Sequence, residues 1–526
     1  MREKMWQALH AHQQRLVGLR IPDFFANDPQ RFEHCSIQAC GLLFDFSKQY
    51  VQAETITTLC ALAEACDLQG GLEALFTGKS LNISEQRPAL HTALRDPTLT
   101  PCMVFGRDLK QAIRDQHQRM GQFVQRLQSG NYLGFTHKPI TDVICLGIGG
   151  SALGPSMVCR ALAPYKNIPL RCHFVSNIDG HTLAATLGHL DPEKTLCMVS
   201  SKTFKTLETL TNAEAVRQWF KKILGPSCDQ HCVAITANPS AAEALGFSKE
   251  QIFEFWDCIG GRYSVWSAVG LPIALSIGME HFNAFLAGAY AMDQHIRSTP
   301  FSQNMPVLMG LLGIWNINVL GSQTQAIIPY EDGLGYLPAY LQQLEMESNG
   351  KQPGVGSLGL STGAVIWGGV GCDAQHAYMQ LLHQGTQIVP VDFLVAAQGH
   401  PDFPQHQAAL VASCLSQSKA LMEGVHAKDT QNTQGASAHD CPGNRPSSTL
   451  MYERLTPAVL GSLIALYEHK VFVQSQIWSI NPFDQWGVEG GKRLLGEILP
   501  ALENPQAREQ LDTSSQGLID YFLKHR

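Results

Sequence analysis

From Val143 onward the hydrophobic pattern alternates between short strand-like runs and longer amphipathic stretches. The runs DVICLG, RCHFVSN, KTLCMVSS and HCVAIT begin at residues 142, 171, 194 and 231. Their β-branched, continuously apolar character, with helical spacing between them, predicts βαβ units and a parallel sheet whose ligands sit at the carboxyl ends of the strands. A second block follows with QAIIPY at 325–330, GAVIWGG at 363–369 and TQIVPVDF at 386–393, beyond an apolar helical region around 265–320. Residues 1–120 show few strand signals; TITTLCALAEACDLQGGLEALF, with apolar positions every three or four residues, reads as helix. Near the other end, Thr456-Pro457 looks like an N-cap followed by proline in the first turn, opening a helix to about Ser475. The polar, Gly/Pro/Asn-rich stretch 425–448 reads as a surface loop. The expected organisation is therefore α/β: a helical extension over 1–120 packing on the core, one parallel-sheet subdomain over 121–285, a second over 286–510 with a helical C-terminal part, and a helical tail over 511–526.

Composition narrows the classes. Of 526 residues, 44% are hydrophobic and 16% charged, against roughly 25% charged in ordinary soluble domains, so some surface is expected to be hidden between subunits. The net charge is −7, and no Lys/Arg run could track a phosphate backbone, which disfavours nucleic acid and anionic membranes as partners. The N-terminal stretch has no signal-peptide core, and apolar runs such as VLMGLLGIW are too short to span a bilayer, so a soluble cytoplasmic protein is expected. The fifteen cysteines are odd in number and many sit inside apolar strands, as buried reduced thiols would. The closest approach to a metal cluster, Cys228 with His231 and Cys232, lacks a second ligand pair at zinc spacing.

Two strand-to-helix corners carry candidate chemistry. In VICLGIGGSALGP (143–155), the glycines let backbone approach a ligand, and the following helix offers unpaired N–H groups to an anion. Read as G-x-G-x-x-A, the same turn fits a dinucleotide fingerprint with Asp179 as the ribose acid, and a plain structural turn is the third reading. In MVSSKTFKTLETLTN (198–212), Ser201, Lys202, Thr203 and Thr206 precede a helix, a set better suited to one terminal phosphate. Arg262 follows a Gly-Gly turn in apolar surroundings, placed to stabilise an oxyanion or to form a buried ion pair. His376 is expected to begin a helix, and Lys492 follows Gly490-Gly491. Finally, YLQQLEMESNGK (340–351) holds Glu345 and Glu347 just ahead of the turn signal Ser348-Asn349-Gly350.

Taken in order, GIGGSALGP, SKTFKTLET, GGRYSVWSAVGLP, LEMESNGK, QHAYMQLLHQGT and DQWGVEGGK closely resemble the signatures of the glucose-6-phosphate isomerase family. The resemblance implies two sugar-isomerase (SIS) subdomains in a homodimer, acting in glycolysis and gluconeogenesis with no redox cofactor or metal. It implies that Glu347 moves a proton between C1 and C2, that His376 assists ring opening from the partner subunit, that Lys492 acts near the ring oxygen and that Arg262 stabilises the enediolate. Ser201, Lys202, Thr203 and Thr206 would cradle the phosphate, with Gly150, Ser151, Gln343 and Gln485 completing the sugar pocket. Glu345 is then a structural neighbour, facing elsewhere or ion-paired. The chain departs from the family pattern at Lys205, at Cys372-Asp373-Ala374, in VEGGK and in a shortened loop around GNRPSST. A dehydrogenase and a non-catalytic sugar-phosphate regulator are the competing classes; the joint presence of Glu347, His376, Arg262 and Lys492 favours the isomerase.

Overall fold

The computed structural model describes residues 1–98, 100–104, 106–167, 169–225, 228–354, 359–425 and 440–526. It divides into two compact units, Met1–Pro482 and Phe483–Arg526. Within the first unit stand the two expected parallel sheets flanked by helices. The five-stranded sheet runs in the order Arg171–Val175, Asp142–Leu146, Thr195–Ser200, Cys232–Thr236, Ile252–Glu254, all parallel. Every residue of its three central strands is buried, as a sheet covered on both faces requires, and this is why those runs carry no polar alternation. The chain steps outward from Asp142–Leu146 in one direction and then in the other, so the switch point lies between that strand and Thr195–Ser200. A crevice for a ligand opens at the carboxyl ends of such a pair.

The second sheet has six strands, and here the structure departs from the helical reading of residues 1–120. Strands Thr324–Tyr330, Val365–Gly368, Val391–Ala396 and Ser447–Tyr452 pair in parallel. An antiparallel hairpin, Ser36–Ala39 with Leu42–Asp45, then adds itself to the Ser447–Tyr452 edge. Its strands are only four residues long. The two-residue turn, Cys40 at φ 53° and Gly41 at φ 77°, has the left-handed geometry of a hairpin loop without the Asn-Gly or Asp-Gly pair that announces one. The N-terminal region thus completes a sheet as well as covering it.

Three apolar helices form the rest of the core: Leu271–Ser298, kinked at Gly278 (φ 82°) and buried throughout Leu271–Gly278, with Met305–Ile314 and Pro457–Trp478 buried on almost every side. The last opens as expected, with the Thr456 hydroxyl accepting from Val459 N at 3.2 Å. Two glycines let it approach its neighbour closely. A Cβ on Gly288 would stand 1.8 Å from Ala458 O, and one on Gly461 2.0 Å from Phe285 O. A buried charge cluster joins the same helices to the N-terminal region: Arg95 meets Asp293 at 2.7 Å and Glu468 at 2.5 Å, Trp266 Nε1 donates to Glu468 at 2.8 Å, and His469 pairs with Asp293 at 2.7 Å. Removing one member would leave a buried charge uncompensated, a loss of about 3–5 kcal/mol.

The loop expected at 425–448 lies mostly outside the described residues, but its GNRP element is visible. Asn444 accepts from Ile21 N at 2.8 Å, and Arg445 donates to the carbonyls of Gly385 and Gln387. The second unit is helical, Trp486–Ala501, Pro505–Arg508 and Thr513–His525, with Asn504 and Asp512 capping the last two.

Candidate functional site

The two corners predicted from sequence lie side by side at the switch point of the five-stranded sheet. A Cβ on Gly150 would fall 2.1 Å from Gly261 O, so only glycine lets the first corner press against the turn that carries Arg262. Ser151 follows in the 3-10 turn Gly149–Ser151. In the second corner the hydroxyls of Ser201 and Thr206 meet at 3.0 Å. Thr206 occupies the N-cap of the helix Leu207–Leu224 without a side-chain capping bond, so its hydroxyl faces Ser201 while the first helical N–H groups stay available to an anion. Phe204, which the sequence reading passed over, holds this corner. Its backbone is left-handed at φ 54°, a cost of about 1–2 kcal/mol. Its buried ring packs edge-on against Phe247 at 5.5 Å, and burial worth about 2–3 kcal/mol outweighs that cost.

Lys202 turns away from this hydroxyl pair. The Lys202 ammonium donates to the carbonyls of Asp257 and Ile259 at 2.9 and 3.0 Å, tying the corner to the loop that leads into Gly260-Gly261-Arg262. Burial, and then the charge of Arg87, bring its pKa down to about 8. Thr203 is exposed, and its carbonyl accepts from Asn238. Lys205, the departure from the family pattern, is exposed too and leaves the hydroxyl pair intact.

Glu347 closes a π-helical turn, Gln342–Glu347, that follows the short helix Leu337–Leu341. Such turns recur at functional sites because the extra residue re-aims side chains. The expected Ser-Asn-Gly turn is delayed: helix continues through Asn349, and Ser348 and Asn349 are fully buried. Asn349 Nδ2 donates to Val471 O at 3.1 Å, pinning the segment to the central helix. The two glutamates diverge. Glu345 turns inward to Lys470 at 3.0 Å; Glu347 remains partly exposed, its Oε2 accepting from Gln343 Nε2 at 3.0 Å and facing Arg262 Nη1 at 3.2 Å. Gln343 also lies against the first corner, with Nε2 3.0 Å from where a Cβ on Gly149 would sit. Arg262 is buried; its Nε donates to Ser348 Oγ at 2.6 Å, and Nη2 donates to the Pro482 carbonyl. Tyr263 O–H shares a hydrogen bond with the same Ser348 hydroxyl at 2.9 Å.

The structure thus brings together Gly150, Gln343, Glu347 and Arg262, with the Ser201–Thr206 pair on the adjoining corner. His376 does not begin a helix; it terminates one, Gly371–Gln375, formed by the unusual Cys372-Asp373-Ala374, and its side chain is exposed. Gln485 and Lys492 belong to the second unit, at the N-cap and in the second turn of Trp486–Ala501, where Lys492 Nζ pairs with Glu489 at 2.8 Å. The residues of the alternative readings are engaged structurally. Asp179 caps the helix Gly180–Leu187 through His181 N at 2.9 Å. His231 accepts from Phe135 N at 2.8 Å through Nε2 and donates to Thr195 O at 2.7 Å through Nδ1, which leaves no lone pair for a metal.

Residues 45–519 match the family model described as phosphoglucose isomerase. The chain is 46% identical to a glucose-6-phosphate isomerase of Ectopseudomonas mendocina (strain ymp) and 47% identical to one of Pseudomonas fluorescens, in each case over 99% of this chain and 97% of the relative. A crystal structure of a glucose-6-phosphate isomerase from Chlamydia trachomatis D/UW-3/Cx superimposes with a TM-score of 0.85 at 32% identity, covering 99% of both chains.

Proposed function

The chain belongs to the phosphoglucose isomerase family, and from that premise we infer that it interconverts glucose 6-phosphate and fructose 6-phosphate through an enediolate. The observation that carries this reading is the Glu347 carboxylate held between Gln343 and Arg262 beside the two strand-to-helix corners. In the open-chain aldose, the Glu347 carboxylate takes the proton from C2; the C2–H electron pair forms the C1–C2 double bond, and the carbonyl oxygen on C1 becomes an oxyanion. A proton then passes from the oxygen on C2 to that on C1, and the Glu347 carboxyl returns its proton to C1. One carboxylate serves both halves because the two carbons are neighbours. Arg262 faces the charge that develops on oxygen; stabilisation of this kind is worth about 10²–10³ in rate.

The Ser201 and Thr206 hydroxyls, with the N-terminus of Leu207–Leu224, grip the phosphate, whose binding energy orients the distant reacting carbons. Ring opening needs a separate acid and base, for which His376 and Lys492 are the candidates. His376, exposed at the end of its short helix, would enter the site of a second subunit, in a homodimer, and Lys492 would act near the ring oxygen. Gln485 and Ser151 would line the sugar. The protein works in the cytoplasm on this reading.

The test is a coupled assay of the purified protein with fructose 6-phosphate in deuterated water. Turnover with deuterium entering C2 of the glucose 6-phosphate formed is the expected result. Absence of turnover, or a product with no label and no competing internal transfer of the C1 hydrogen, overturns it.

A further inference from the structure

Arg262 is the cation of the site, yet nothing in the proposed reaction explains how a planar group on a flexible stem is kept facing Glu347. We propose that Ser348 is a positioning residue for Arg262, its hydroxyl clasped from the other side by Tyr263, so that the guanidinium keeps its Nη1 edge toward the reacting oxygens throughout the reaction. This rests on the isomerase reading and deepens it. Nε donates to Ser348 Oγ at 2.6 Å and Nη2 donates to the Pro482 carbonyl, leaving Nη1 directed at Glu347 at 3.2 Å. Two acceptors outside the chemistry therefore define the plane, and the fork geometry of arginine fixes the third direction.

The clasp joins two segments far apart in sequence. Arg262 and Tyr263 are consecutive, and both reach the single hydroxyl of Ser348, the residue directly after Glu347. One anchor thereby fixes the base and the cation relative to each other. Tyr263 is itself held: its ring stacks on His91 at 4.6 Å, and His91 lies 4.0 Å from Glu468 of the buried charge cluster. Ser348 is fully buried, so water cannot replace its hydroxyl without rearrangement. The consequence appears during turnover. Once Glu347 has taken the substrate proton it is neutral, and the ion pair with Arg262 weakens at the moment when charge forms on the substrate. A guanidinium held only by Glu347 would be free to swing; one held by Ser348 and Pro482 stays where the oxyanion needs it, at no cost in reorganisation.

The experiment compares wild type with Ser348→Ala in kcat, KM and the affinity of two inert ligands. One is a five-carbon aldonate phosphate, whose carboxylate resembles the enediolate; the other is an alditol 6-phosphate, which resembles bound substrate without that charge. The expected result is a fall in kcat of about tenfold to a hundredfold, the range for a lost hydrogen bond to a charged group, with KM nearly unchanged. Aldonate affinity falls in step with kcat, and alditol affinity holds. Tyr263→Phe, which removes only the outer tie, shifts the same ratio in the same direction by less, and it carries the test should Ser348→Ala fail to fold. Equal weakening of both ligands marks a general packing role and overturns the proposal, as does a kcat unchanged in the variants. An inactive wild type would instead sink the isomerase reading itself.

Discussion

Two carboxylates two residues apart, Glu345 and Glu347, take opposite roles because the π-turn sends one inward and the other to the crevice. Glu345 neutralises Lys470 in the core; Glu347 stays partly exposed and meets Arg262. Arg262→Ala should therefore lower kcat by about 10²–10³ with a smaller change in KM, and steady-state kinetics showing a change in KM alone would mean that the arginine only binds. If Thr206 grips the phosphate as proposed, Thr206→Val should raise KM for the sugar phosphate while kcat at saturation is largely kept, because that hydroxyl would bond the phosphate in ground and transition states alike. The sequence was informative where a residue's neighbours along the chain decide its conformation, as with the glycine turn that lets Gly150 press against the Gly261 carbonyl. It was silent where direction depends on distant partners. The carbonyls that turn Lys202 away from the hydroxyl pair belong to Asp257 and Ile259, and the reach of Ser348 to Arg262 crosses 86 positions.

At the scale of elements, the parallel strands were legible because burial on both faces leaves an unbroken apolar run, whereas the hairpin Ser36–Asp45 was not, being short and turned by Cys40-Gly41. The π-turn Gln342–Glu347 is equally illegible, since its residues have the composition of ordinary helix. The close approach of the two core helices predicts that Gly288→Ala costs about 1–3 kcal/mol through overpacking against the Ala458 carbonyl. Thermal unfolding should show a lowered midpoint and an unaltered kcat in the folded fraction; an unchanged midpoint would mean that the helices separate freely.

Lys202, linking the Ser201–Thr206 corner to the loop that leads into the Arg262 turn, adds a pH signature. Its folded pKa of about 8 lies below the ordinary 10.5. Between these values the unfolded chain holds the extra proton, so this group's contribution to stability increases as pH rises from 8 toward 10.5. Denaturant titrations should find the stability advantage of wild type over Lys202→Met larger at pH 10 than at pH 7.5; a constant difference contradicts the assignment.

For the whole molecule, the proposal that an exposed His376 serves the site of a second subunit can be tested by complementation. Mixing two inactive variants, Glu347→Gln and His376→Ala, under conditions of subunit exchange should restore about a quarter of wild-type activity. Half the dimers would then be hybrids, each with one intact site; activity that stays absent in proven hybrids would mean that Glu347 and His376 of the same subunit serve one site. The central claim, that the Glu347 carboxylate carries the proton, meets its most direct test in Glu347→Gln. The amide keeps the shape and the sugar-phosphate affinity but has no basic oxygen. Alditol 6-phosphate affinity should stay close to wild type while turnover of fructose 6-phosphate falls by at least about a thousandfold; turnover near the wild-type rate in that variant would contradict proton transfer by Glu347.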